Sequence, residues 1–199
     1  DLKNRLSSDR RCFTFFHPRM PNEPLIIVQV ALVHGIADNV QTLLDETAPV
    51  VDPQEADTAI FYSISNAHEG LSGISFGNFL IKRVVDELAG EFKNLKTFAT
   101  LSPIPGFRGW LDRKLSEPGQ DAEATLLNAA ERKAIAMAAG TGKEPASLQT
   151  LLHNTAWTQK PELAKALKQP LLRLCAQYLV NEKRDSGAAL DRVARFHLS

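Results

Sequence analysis

Between an apolar stretch ending at Ser65 and an amphipathic stretch beginning at Asn78, the chain places Gly70, Gly73 and Gly77 in one short loop. A helix start leaves backbone N–H groups without partners and carries a partial positive charge. Glycines let such a backbone curl around an anion, and let a phosphate approach with no Cβ in the way. The loop of residues 66–77 therefore suits a pyrophosphate, with a flexible connection as the alternative. The same loop contains Gly73-Ile74-Ser75-Phe76-Gly77, a G-x-S-x-G string, with His197 downstream. A hydrolase built on that string needs its serine at a sharp turn directly after the strand. About eight residues lie between the strand end and Gly73, so Ser75 as a nucleophile is the lesser reading. Gly142-Lys143 looks like the end of a Walker A loop, but Glu144 replaces the Ser/Thr and Met137 the first glycine, which removes it. Glycines at 70, 73 and 77 also miss the G-x-G-x-x-G dinucleotide spacing.

Ser102 closes another apolar stretch immediately before Pro103, where a serine is ordinarily a turn residue. His197 is one of five histidines. The two carry chemistry only if the fold brings them to one cleft. His17, His34, His68 and His153 show no ligand-like spacing. Cys12 and Cys175 are far apart and lack C-x-x-C spacing. Neither a disulfide framework nor a zinc site is expected, and a reducing compartment is the default.

The elements that must position these residues follow from periodicity and breakers. Residues 12–17 and 25–33 read as strands, joined across a segment with Pro18, Pro21 and Pro24 that reads as a turn. Residues 36–46 read as a short helix with Asp38 or Asn39 near its start. Residues 58–65 form an apolar, central strand, and 78–92 a helix whose stripe includes Phe79, Val84 and Leu88. A strand follows at 96–101. From Phe107 to about Lys183 the pattern is helical, in segments 107–115, 121–139, 145–154, 161–168 and 170–183. Trp110, Trp157 and Phe107 are expected to pack that block. Residues 192–198 read as the start of a final strand. The order predicts an α/β or α+β fold with a mixed sheet.

Composition sets outer limits. Of 199 residues, 44% are apolar and 23% charged, enough to bury a core and too ordered for a disordered chain. Lys plus Arg and Asp plus Glu are each 23, for a formal net charge of zero. That balance argues against nucleic acid or an anionic membrane as a bulk electrostatic partner. No apolar run reaches the ~18 residues a bilayer span requires. The longest, residues 25–33, is interrupted by Gln29. The first eleven residues, DLKNRLSSDRR, have no signal-peptide core. The chain starts at Asp1 and stops just after His197, so it reads as a fragment, truncated at both ends.

Taken together, AIFYSIS (59–65), GLSG (70–73), GNFLIKRVV (77–85), LSPIPGF (101–107), PLLRLCA (170–176) and FHL (196–198) resemble the malonyl-CoA decarboxylase family. RRC (10–12) and EPL (23–25) agree as well. The resemblance implies a catalytic domain with a GNAT-like fold, a mixed sheet with flanking helices, over residues 1–199. It implies a helical insertion at about 107–183 and no counterpart of the family's N-terminal helical domain. By position, Ser72, Gly73, Ile74, Ser75, Phe76, Gly77 and Asn78 correspond to the loop that holds the CoA pyrophosphate. Ser102 and His197 correspond to the catalytic pair.

The activity so implied is decarboxylation of malonyl-CoA to acetyl-CoA and CO2. The thioester is itself the electron sink, so no metal, biotin or pyridoxal phosphate is expected. Malonyl-CoA and acetyl-CoA are the expected partners, with no nucleic acid and no membrane. A homo-oligomer in the cytoplasm is expected, with a mitochondrial or peroxisomal setting as the alternative. The rival readings are an acyl-CoA-dependent acyltransferase on the same fold, a serine hydrolase using Ser75, and a CoA-binding module without chemistry.

Overall fold

The computed structural model describes residues 7–45, 47–68, 77–117, 121–140 and 147–198, with the side chains of Gly77 and Asn78 left aside. The chain divides into two compact units, one through Pro103 and one from Ile104 to Leu198.

The first unit is a sheet with a helix on it. Strands β1 (Arg10–His17), β2 (Met20–Val33), β3 (Thr58–Asn66) and β4 (Thr97–Thr100) lie in the order β1-β2-β3-β4. The first two pairings are antiparallel and β3–β4 is parallel. Successive side chains of a strand alternate between faces. Ile26, Val28, Val30 and Leu32 of β2 turn to one face with Ala59 and Phe61 of β3, and Ala31 and Ile60 belong to the other. Helix α2 (Gly77–Glu91) packs Val84 and Leu88 onto the first face. The short helix α1 (Val40–Leu44) contributes Leu43 to the second. Burial of each such Leu or Val stabilises by roughly 1.5–3 kcal/mol.

The β3 strand carries an irregularity. Gln29 pairs with Ser63 and Val30 with Phe61, which leaves Tyr62 as an extra residue. The alternation shifts there. Ala59 and Phe61 share the α2 face before Tyr62, and Ile64 shares it afterwards. A buried pair braces the start of the sheet. Arg10 meets Asp9 at 2.9 Å and donates to the Leu43 carbonyl at 2.8 Å, while Asp9 accepts the Val51 N–H at 3.1 Å.

The second unit is helical: α3 (Phe107–Leu115), α4 (Ala122–Leu126), α5 (Ala129–Ala139), α6 (Leu148–His153), a 3-10 turn (Thr155–Gln159), α7 (Pro161–Asn181) and α8 (Arg192–Leu198). Trp110, Leu111, Leu127, Leu163, Leu167 and Leu174 form the centre of its core, with Phe107 and Trp157 packed around it as expected.

Several expectations are corrected. The proline segment is mostly strand, because β2 already starts at Met20. The helix expected over 36–46 shrinks to Val40–Leu44, since Asn39 caps it by accepting the Gln41 N–H. The stretch 121–139 is two helices, because Asn128 and Glu131 form a reciprocal capping box that starts a new one. Of the segment expected over 145–154, the described residues form a helix at Leu148–His153, opened by Ser147. Segments 161–168 and 170–183 are one helix, which runs through Pro170. The final strand expected at 192–198 is instead α8, because Asp191 caps a helix there.

Candidate active site

In the first unit, the parallel pairing of β3 and β4 decides where chemistry can sit. The helix α2 leaves from the C-terminal end of β3 and returns the chain to the start of β4. Its N-terminus therefore lies at the same edge of the sheet as the C-terminal ends of both strands. In open α/β sheets that edge is where ligands bind. The first turn of α2 contains no acidic residue, so nothing there neutralises the positive end of its dipole.

Ser102 follows β4 at that edge. The pairing runs from Thr58 with Thr97 to Phe61 with Thr100, and the Leu101 N–H then donates to the Phe61 carbonyl at 2.9 Å. Beyond this point β3 continues past Tyr62 to Asn66, paired with β2. Ser102 is half-buried. Of the expected pyrophosphate loop, Ser72, Gly73, Ile74, Ser75 and Phe76 lie outside the described residues. Gly77 and Asn78 open α2. The hydrolase candidate Ser75 and the Walker-like Gly142-Lys143 also lie outside them.

In the second unit, His197 sits on α8, half-buried, its ring edge-on to Phe196 with centroids 5.0 Å apart. Burial disfavours the imidazolium and holds this histidine below its ordinary value of 6.5. The helix is set by Asp191, which is 2% exposed. The carboxylate accepts the N–H groups of Val193 at 2.8 Å and Ala194 at 3.1 Å, the helix-capping bonds. It also accepts the Gly106 N–H at 3.0 Å and the Tyr178 hydroxyl at 3.4 Å. Burial alone would raise the Asp191 carboxyl. The bonds from Ala194, Gly106, Val193 and Tyr178 outweigh it and hold the group below 3.8. Burial, then the Asp191 charge, pushes the Tyr178 phenol up. Its ring lies 5.4 Å from Trp110 and 6.0 Å from Phe107, between centroids.

Asp191 and Tyr178 were not candidates on the sequence. The readable signal is Asp191 just before RVARFHL, an ordinary cap position whose recognition would have turned the expected strand into a helix. Two of the other histidines have local partners. The His17 Nδ1 accepts the Arg19 N–H at 3.1 Å in the β1–β2 turn, and His68 lies 3.8 Å from Glu23. Among the described residues no group of three or more His, Cys, Asp or Glu is placed to hold a metal ion. Cys12 is exposed and Cys175 half-buried, both as thiols, and burial pushes the Cys175 thiol up. No helix among the described residues is long and apolar enough to cross a membrane.

A family model described as the malonyl-CoA decarboxylase C-terminal domain matches residues 1–199. The chain belongs to the malonyl-CoA decarboxylase family. Among curated relatives it is 43% identical over 201 residues to the mitochondrial malonyl-CoA decarboxylases of Anser anser anser and Rattus norvegicus. All of this chain is covered, and 40% of each relative. Among solved structures, the malonyl-CoA decarboxylase of Rhodopseudomonas palustris matches at 44% identity with a TM-score of 0.80, covering 100% of this chain and 41% of that one. That of Cupriavidus metallidurans matches at 44% identity and a TM-score of 0.75, covering 99% and 46%. The chain thus spans about two fifths of the length of the curated decarboxylases it matches. Its mixed sheet with flanking helices is the GNAT-like arrangement expected for the family. The named decarboxylases come from animal mitochondria and from bacteria, so kinship fixes no single compartment.

Proposed function

We propose that this chain carries the decarboxylation chemistry of a malonyl-CoA decarboxylase. The observation that carries the reading is the sheet edge where the α2 N-terminus and Ser102 fall together, on a chain whose relatives are named for that substrate. In this reading residues 72–78 hold the CoA pyrophosphate through backbone N–H groups. The bond between the carboxylate carbon and the methylene carbon breaks. Carbon dioxide leaves, and the electron pair enters the thioester carbonyl to give the enolate of acetyl-CoA. One proton is then added to the carbon, so each turnover consumes one proton. His197 hydrogen-bonds the enolate oxygen as it gains charge, an interaction worth roughly 3–4 kcal/mol for a preorganised donor. Ser102 orients the malonyl carboxylate and relays the proton to carbon. Neither role requires an acyl-enzyme. The substrate supplies the electron sink, and this reading asks for no metal, biotin or pyridoxal phosphate.

Residues 1–199 form the catalytic portion, and the helical unit is an insertion within it. We assign the protein to a homo-oligomer in a bacterial cytoplasm, the mitochondrial relatives making the organelle the alternative. The test is incubation of the intact protein with malonyl-CoA and no acceptor. Acetyl-CoA and CO2 in equal amounts are expected. Turnover only when an amine acceptor is added favours the acyltransferase, and covalent labelling of Ser75 by a fluorophosphonate favours the hydrolase. Binding of acetyl-CoA with malonyl-CoA left intact favours a module without chemistry.

A further inference from the structure

We infer that Asp191 is a positioning residue for this reaction, because one oxygen of its carboxylate holds the helix bearing His197 while the other holds the backbone four residues after Ser102. The kinetic half of the inference rests on the decarboxylase reading, and the structural half does not.

The division of labour is seen atom by atom. Oδ1 accepts the N–H groups of Val193 and Ala194. Oδ2 accepts the Gly106 N–H and the Tyr178 hydroxyl. A helix cap needs one acceptor, and Ser, Thr or Asn at the surface supplies it at little cost. Burying an ionised carboxylate for that purpose alone would be unfavourable, because desolvation of a charge is expensive unless its hydrogen bonds replace water. Here the second oxygen is satisfied by donors from two further elements. Charged and titratable groups that act on the Tyr178–Asp191 pair from neighbouring elements are Arg113 on α3, Cys175 on α7 and Glu182 just after α7.

Mechanically, α8 cannot slide or turn about its axis without breaking the Gly106 bond. His197 lies six residues beyond Asp191, under two helical turns away. The orientation of the imidazole therefore follows the grip on Gly106. A misplacement of about 1 Å at a reacting group can cost on the order of 100-fold in rate.

Asp191→Asn separates the two jobs. The amide keeps Oδ1 as a cap acceptor and replaces Oδ2 with an NH2 group that cannot accept from Gly106. In the intact protein, kcat for malonyl-CoA is expected to fall roughly tenfold or more, with KM changed less than about twofold. Amide hydrogen exchange is expected to accelerate at Gly106 and to stay slow at Val193 and Ala194. Tyr178→Phe removes only one of the two bonds to Oδ2 and is expected to give a smaller loss of the same kind. It carries the test if the Asn variant does not fold. A folded Asn variant with wild-type kcat, or with unchanged exchange at Gly106, overturns the inference. So does a loss of activity that only tracks the fraction of unfolded protein. If the wild-type protein leaves malonyl-CoA intact, the decarboxylase reading falls, and exchange at Gly106 against Val193 still decides the grip itself.

Discussion

The Asp191 carboxylate accepts the Gly106 N–H at 3.0 Å across 85 residues of sequence. That one bond joins the entrance of the helical unit to the cap of its last helix. It also explains the glycine. A Cβ on residue 106 would meet the Tyr178 hydroxyl, and would come within 3.1 Å of both the Asp191 Oδ2 and the Tyr178 Cζ. The φ of Gly106 is −85°, open to any residue, so the demand is for space and not for backbone freedom.

Gly106→Ala is therefore expected to destabilise the protein by about 1–3 kcal/mol, the usual range for overpacking a tight interior. Urea titration of the intact protein measures it. Adding Tyr178→Phe in the same chain is expected to recover part of the loss, because the hydroxyl is the nearest atom. No recovery would place the conflict elsewhere.

Much of the first unit was legible in the sequence, because its strands are apolar runs between breakers and α2 is strongly amphipathic. The order of strand, helix and strand over residues 58–66, 77–91 and 97–100 stands as read. The bulge at Tyr62 was not legible. Ile60, Phe61, Tyr62 and Ile64 are all compatible with a strand buried on both faces, so nothing in the pattern marks the residue that slips. Helix ends in the second unit were misread where a capping side chain competed with periodicity, as at Asn128 and Asp191. The bonds of Asp191 to Gly106 and Tyr178 have no local signature, because those partners are 85 and 13 residues away. Ser102 and His197 are candidates only through the resemblance, since neither has a local spacing that marks chemistry.

The core of the first unit offers a direct energetic comparison. Leu88 is fully buried on α2, whereas Leu172 on α7 is 54% exposed. Leu88→Ala loses apolar burial and leaves a void, and is expected to cost about 2–5 kcal/mol. Leu172→Ala is expected to stay within about 0.5 kcal/mol of the parent. Equal losses for both, measured as urea midpoints, would contradict the packing described here.

Pro170 poses a contest of opposite signs. Inside α7 it removes the N–H that would donate to the Ala166 carbonyl, and proline is roughly 3 kcal/mol worse than alanine in a helix interior. Its ring is buried, and truncation to a methyl forfeits about two methylenes at roughly 0.8 kcal/mol each. The helix term is larger. Pro170→Ala is expected to stabilise by about 1 kcal/mol, read as a raised melting temperature; a lowered one would mean that the ring fills a site the helix cannot close.

His197 links stability and turnover to pH through one sign. Burial holds its imidazole below 6.5, so in acid the unfolded chain takes up a proton that the folded protein refuses. The stability associated with the neutral ring is fully present above 6.5 and is lost progressively as pH falls toward the folded value. His197→Gln is expected to flatten that part of the stability profile, as pH falls below 6.5. The same shift distinguishes two chemical roles. A neutral ring can hydrogen-bond the enolate oxygen through its N–H, and in that role kcat is level above neutrality and declines as the ring protonates. An imidazolium acting as the proton donor would give the opposite limb, with kcat rising in acid. The expected profile is the first. His197→Asn and Ser102→Ala are both expected to lower kcat by about two orders of magnitude or more while leaving CoA affinity nearly unchanged, as checked by single-turnover kinetics and equilibrium binding.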